Sequence, residues 1–126
     1  IVADKFRGKK EYYLTFAELI KAAQYSGTVT YQQLADSLSW PLTGNLMGSR
    51  IGHLLGEISE DEHDHGRPVL SAVAVSSSGK PSEGFFELAR QLGKLSVDSK
   101  KQYDTFWMAE RKALTAVWRK SFRPPK

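Results

Sequence analysis

Apolar residues recur every three or four positions along most of this chain, and the interruptions divide it into five helical stretches and one short extended run. From about Glu11 to Tyr25, Tyr13, Phe16, Ala17, Ile20 and Ala23 fall on one helical stripe, and Gly27 follows as a C-terminal stop. A second, short helix is expected from Thr30 to near Ser39. Thr30 and Gln33 have the spacing of a capping box, Val29 and Leu34 sit where a hydrophobic staple would, and Trp40-Pro41 breaks the pattern. After the loop LTGN, a third helix runs from about Leu46 into an acidic stretch. Its apolar face is Met47, Ile51, Leu54, Leu55 and Ile58, and Gly66 closes it.

The β-branched run PVLSAVAV, between Pro68 and the polar turn Ser76-Ser77-Ser78-Gly79, reads as a strand and turn. A fourth helix, capped by Ser82, carries Phe85, Phe86, Leu88, Ala89 and Leu92 and stops at Gly93. A fifth begins near Asp98 or Ser99, with Tyr103, Phe106, Trp107, Leu114, Val117 and Trp118 as core anchors. The expected architecture is α+β and mostly helical. It is a winged helix-turn-helix-like core over residues 11–93 with a short strand and wing, and a long C-terminal helix over 98–121 packs on it. The whole of 1–126 forms one domain with basic tails at both ends.

Charge adds direction to this picture. The net charge is only +4, yet Arg111, Lys112, Arg119, Lys120, Arg123 and Lys126 fall in a C-terminal stretch without an acid. Lys5, Arg7, Lys9 and Lys10 crowd the other end, and Glu57, Glu60, Asp61, Glu62 and Asp64 sit between. Basic ends attract polyanions by counterion release, or simply solubilise the chain. The chain contains no Cys, which excludes disulfides, thiol nucleophiles and cysteine metal sites and fits a cytoplasmic protein. No apolar run approaches the roughly 18 residues of a membrane helix, and IVADKFRGKKEYY has no signal-peptide apolar core.

The polar side of the third helix carries Ser49, Arg50, Gly52, His53, Gly56 and Glu57. Gly48, Gly52 and Gly56 recur every four residues, each costing about 1 kcal/mol relative to Ala. Close approach by another helix or by a nucleic-acid strand would compensate. Arg50 beside that stripe would meet phosphates or bases, or form an ion pair with Glu57 or Asp61. Tyr31, first in its helix, would either pack on its own domain or face a ligand.

Three blocks, TYQQLADSL, GSRIGHLLGEI and GRPVLSAVAVSSSGKPSEGFF, carry a resemblance over roughly residues 28–85. They resemble the DNA-binding domain of O6-alkylguanine-DNA alkyltransferases and alkyltransferase-like proteins, with their T-Y-G-x-L-A segment, A-x-R-x-V-G-x-A-L recognition helix, I-P-C-H-R-V-V motif and glycine-containing wing. The resemblance implies that Tyr31 presses on the phosphate of a flipped nucleotide and that Arg50 enters the stack in place of the base. Where the family has P-C-H-R, this chain has Pro68-Val69-Leu70-Ser71, so the acceptor cysteine is missing and alkyl transfer is excluded. The segment between Tyr31 and Arg50 is also longer. The strand, turn and Trp-rich last helix are similar too to a group of small bacterial and phage proteins, a likeness that implies no activity.

Three functions follow as expectations. The first is non-catalytic DNA binding, possible sensing of modified or damaged bases included, through Tyr31, Gln32, Ser49, Arg50 and His53, with Lys80 of the wing on phosphates. The second is a protein-interaction module of a defence or assembly system, its partner docking on the acidic patch 57–65. The third is a metal-dependent nuclease using Glu60, His63 and Glu83. No cofactor motif is read. The consecutive EISEDEHDH run points its members to different faces of a helix, which fits a solvated or tail-paired helix end better than a metal site. Glu83 suits a helix N-terminus, and Ser71 and Ser76–Ser78 have no visible base.

Overall fold

In a computed structural model, residues 2–40, 44–96 and 100–121 are described, the side chains of 44–48, 120 and 121 excepted. The order is α1 (Lys10–Gln24), β1 (Val29–Thr30), α2 (Tyr31–Ser37), α3 (Gly44–Asp64), a 3-10 turn (Leu70–Val73), β2 (Ala74–Val75), α4 (Glu83–Gln91), a second 3-10 turn (Lys100–Gln102) and α5 (Tyr103–Ser121). The fold is mostly helical, with one short two-stranded sheet and a long C-terminal helix.

Local chemistry sets most element ends. At α2 the Gln33 N–H donates to Thr30 Oγ1 (3.0 Å) and the Thr30 N–H to Gln33 Oε1 (2.8 Å), which completes the capping box. Val29 and Leu34 are both buried beside it. The helix ends before Trp40-Pro41, because Ser39 turns left-handed (φ 58°) and the Trp40 N–H reaches back to Ala35 O at 2.9 Å. Pro41 itself lies outside the described residues, as does the expected start of the last helix at Asp98 or Ser99. Gly66 (φ 74°) closes α3, with the Arg67 N–H on Glu62 O at 2.9 Å.

Two expectations from periodicity are corrected. The buried stripe of α1 is Tyr12, Thr15, Leu19 and Ala23, whereas Tyr13 is 62% exposed. Apolar residues flank both sides of this helix, and Tyr12 wins the inner position because its hydroxyl also bonds Asp61 at 2.6 Å. The run PVLSAVAV is a strand only at Ala74–Val75, paired in parallel with Val29–Thr30. Leu70–Val73 instead forms a 3-10 turn whose four residues are all buried. Side chains satisfy its backbone in place of a neighbouring strand: Trp107 Nε1 donates to Ala72 O (2.7 Å), the Ser71 N–H to Ser59 Oγ (3.3 Å), and the Val69 N–H to Glu110 (3.1 Å).

This turn is the hub of the molecule, packed by α1, α3 and α5. Leu19, Leu34, Ile51, Leu54, Ile58, Leu70, Val73 and Leu114 form the fully buried centre. Trp107 and Trp118 seal it from α5. Ile51, Leu54, Leu55 and Ile58 of α3 are buried as their spacing requires. Met47, the other residue expected on that face, lies outside the described side chains.

Candidate functional site

On α3, Ser49 is exposed and Arg50 half-buried. Arg50 pairs with neither Glu57 nor Asp61. Its guanidinium lies 4.0 Å over the Trp40 ring, and Phe6 packs on that ring at a centroid distance of 5.5 Å. A cation over a nearly buried indole gains about 0.5–2 kcal/mol while keeping its charge. Arg50 is thus held in place without an ion-pair partner among the described residues.

The acidic stretch has a different task. Residues 2–7 run back along α3 as a strap, and the fully buried Glu57 carboxylate holds it. Glu57 Oε1 accepts the N–H groups of Lys5 (3.1 Å), Phe6 (3.1 Å) and Arg7 (3.0 Å). Arg7 bonds Asp61 (3.0 Å) and Glu60 (2.8 Å) and also pairs with Asp4. Burial works against the Arg7 charge, but these carboxylates outweigh it and raise its pKa. Burial, and then the bond to Asp61, push the Tyr12 phenol up. Glu62 is buried against Arg67 at 2.6 Å. His53 belongs to the strap as well: its Nε2 donates to Ala3 O at 2.7 Å and lies 3.5 Å from Glu57. Expected on the DNA-facing side, it is engaged by the chain's own N-terminal segment. The glycine stripe divides likewise. Gly56 receives Val2 at 3.6 Å, while no atom beyond the helix lies within 4 Å of where a Gly52 Cβ would stand.

Beside Gly52 opens a cavity of about 560 Å³. Ile51, Gly52 and Leu55 of α3 make one wall, and Phe85 and Leu88 of α4 the opposite one. Tyr31 and Gln32 line it from the start of α2, Ser76 and Ser77 from the polar turn, and Val2 from the strap. Tyr31 is half-buried, and its hydroxyl accepts the Ser82 N–H at 2.8 Å, which leaves the phenolic proton to donate. Buried Ser71 also lines the cavity and accepts from Ser59 Oγ at 2.7 Å, so its hydroxyl too retains a proton to give. The cavity is therefore largely apolar with a few fixed polar groups, in the size range of about 300–1,000 Å³ usual for ligand sites. Nothing in the sequence placed Ser71 at a site, since it has no visible base, and the pairing with Ser59 has no local sequence signal.

The other expected residues sit elsewhere. Lys80, exposed in the turn closed by the Ser76 N–H to Lys80 O bond (2.8 Å), lies 3.7 Å from Asp104 at the start of α5. Glu83 accepts from the Tyr103 hydroxyl at 2.6 Å, and Tyr103 stacks on Phe86 at 3.8 Å. Glu60 is taken by the strap, so Glu60, His63 and Glu83 are not brought together. Among the described residues no three His, Asp or Glu side chains are grouped to hold a metal. No helix among them is long and apolar enough to cross a membrane. The chain matches no protein-family model, no curated protein and no solved structure.

Proposed function

We propose that this chain is a non-catalytic DNA-binding protein that takes an unstacked base into the cavity beside α3. The observation that carries this reading is the cavity itself, open next to a bare Gly52 and lined by Tyr31 and Gln32, with Ser49 and half-buried Arg50 on the same helix. A base leaves the duplex only where a pocket can receive it and a side chain can fill the gap. In this reading Arg50 fills the gap and Tyr31 and Gln32 border the entrance. Ser71 and Tyr31 offer hydroxyl protons to acceptors on the base edge, and Lys80 meets phosphates from the turn. The resemblance to alkyltransferase-like proteins points the same way, while the absent acceptor cysteine leaves recognition without transfer.

Docking of a protein on the acidic stretch is less well supported, because Glu57, Glu60, Asp61 and Glu62 are all engaged inside the molecule. The test is fluorescence anisotropy with plain, mismatched and alkylated duplexes at two salt concentrations. Wild type should bind more weakly as salt rises and should prefer duplexes with a weakened base pair. Arg50→Ala should lose most of that affinity, and an unchanged affinity in this variant would refute the assignment.

A further inference from the structure

A second cavity, of about 470 Å³, lies between the Ser26–Gly27 turn after α1 and the outer face of α5. Arg111, Lys112 and Arg119 line it, no carboxylate among the described residues does, and Met108, 63% exposed, supplies an apolar edge. Of the described arginines, Arg7, Arg67 and Arg90 each face a carboxylate at 3.8 Å or closer. Arg111 and Arg119, like Arg50, face none among the described residues. Arg111 donates to Ser26 O (3.2 Å) and lies 5.1 Å from the Trp107 ring, and Arg119 donates to Gln24 O (3.5 Å). Those carbonyls end α1 and carry only partial negative charge. Each contact uses one N–H of a guanidinium that has five. The two forks are thus oriented by the end of α1 while their charge stays available, and Lys112 has no partner among the described residues.

We infer that this groove is a second nucleic-acid contact, binding the phosphodiester backbone on a face separate from Arg50. Arg111 and Arg119 are eight residues apart, about 12 Å along the helix at 1.5 Å per residue, which exceeds the spacing of neighbouring phosphates on a duplex strand. A single phosphate would use one end of such a groove. The basic run continues in sequence through Lys120, Arg123 and Lys126 without an acid, which matches a polyanion. Guanidinium forks suit phosphate oxygens, and the Met108 edge suits a sugar or base beside them. Contacts of this kind hold the strand without reading its sequence.

The test compares wild type, Lys112→Glu, Lys112→Glu/Arg119→Glu and Arg50→Ala by anisotropy with labelled duplex and single-stranded DNA over a salt series. The double variant should bind every sequence more weakly by the same factor. Its slope of log affinity against log salt should be shallower by about one for each contact removed. Polyglutamate should not displace the DNA. Lys112→Glu, which breaks no bond among the described residues, should reproduce part of the effect, so a folding defect in the double variant leaves the test intact. Unchanged affinity and slope in Lys112→Glu, or displacement by polyglutamate as effective as by unlabelled DNA, would overturn the inference. Loss in Arg50→Ala alone would sink this groove and keep the α3 reading. Loss in the Lys112 variant alone would do the reverse.

Discussion

Replacing Glu57 by Gln changes a buried carboxylate into an amide of the same shape and tests what fixes the strap to α3. The Gln oxygen can still accept from Lys5, Phe6 and Arg7, but the three bonds lose their charge assistance. A hydrogen bond to a charged group contributes about 1.5–3 kcal/mol and a neutral one about 0.5–1.5, so three bonds weaken by roughly 3 kcal/mol together. Partial exposure of the strap to water reduces this, and about 2–3 kcal/mol is expected. For a domain of this size, that lowers the melting temperature by roughly 6–15 °C. The assay is urea unfolding followed by circular dichroism, applied to Glu57→Gln, to a variant lacking residues 2–7, and to the two combined. Without the strap the Glu57 side chain meets water, and Glu57→Gln should then cost no more than about 0.5 kcal/mol, as surface substitutions do. An equal cost in both backgrounds would show that Glu57 acts within α3 rather than on the strap, and the reasoning would fail.

Gly52→Ala should stabilise the protein by about 0.5–1 kcal/mol in the same assay, since the position is helical and nothing obstructs a Cβ; Gly52→Phe should instead abolish any base preference while leaving salt-sensitive binding. Ser59→Ala should cost about 1–3 kcal/mol because it orphans the buried Ser71 N–H, and Ser71→Ala should cost less because that N–H keeps its acceptor, so a reversed order in denaturant melts would count against the bonding described. The Glu60 carboxyl is subject to burial, which raises its pKa, but the Val2 N–H and Arg7 outweigh this and hold it below the usual value. Its stabilising contribution is therefore full above the unfolded pKa of about 4.3 and is lost as pH falls through the lower folded value. Unfolding at stepped acid pH should show a shallower loss in Glu60→Gln than in wild type, and parallel curves would refute it.

Elements closed by neighbouring residues were legible in the sequence. The Thr30–Gln33 capping box, the inner face of α3 and the ends at Gly66 and Gly93 depend on side chains within one or two turns. Elements decided by distant partners were not. The register of α1 turned on Tyr12 reaching Asp61, and the 3-10 turn at Leu70–Val73 depends on Ser59, Trp107 and Glu110 from other helices. Glu57, Glu60 and Asp61 stand at helical i, i+3 and i+4 positions, a sign of one acidic stripe. Nothing nearby names its partner, which lies about 50 residues upstream. At the candidate site, Arg50 and Tyr31 were legible from the polar face and the resemblance. The cavity was not, since one of its walls comes from α4, about 30 residues further along the chain.

The strap ties stability to the site at two points. Val2 lines the cavity and rests on Gly56, while Phe6 supports Trp40, over which Arg50 lies. Glu57 holds the strap backbone at Lys5, Phe6 and Arg7, so loosening it should disturb the footing of the arginine first and, through the rest of the strap, the cavity wall. Glu57→Gln should accordingly weaken the proposed DNA binding well below its melting temperature, although residue 57 itself is fully buried and does not line the cavity. The α5 groove shares no residue with the strap, and its contribution to the salt dependence should persist in that variant. Anisotropy at two salt concentrations separates the two effects: affinity should fall while the share of the slope carried by Lys112 and Arg119 stays as it is in wild type. A Glu57→Gln protein that binds duplex as wild type does would show that the strap stabilises the fold without setting Arg50.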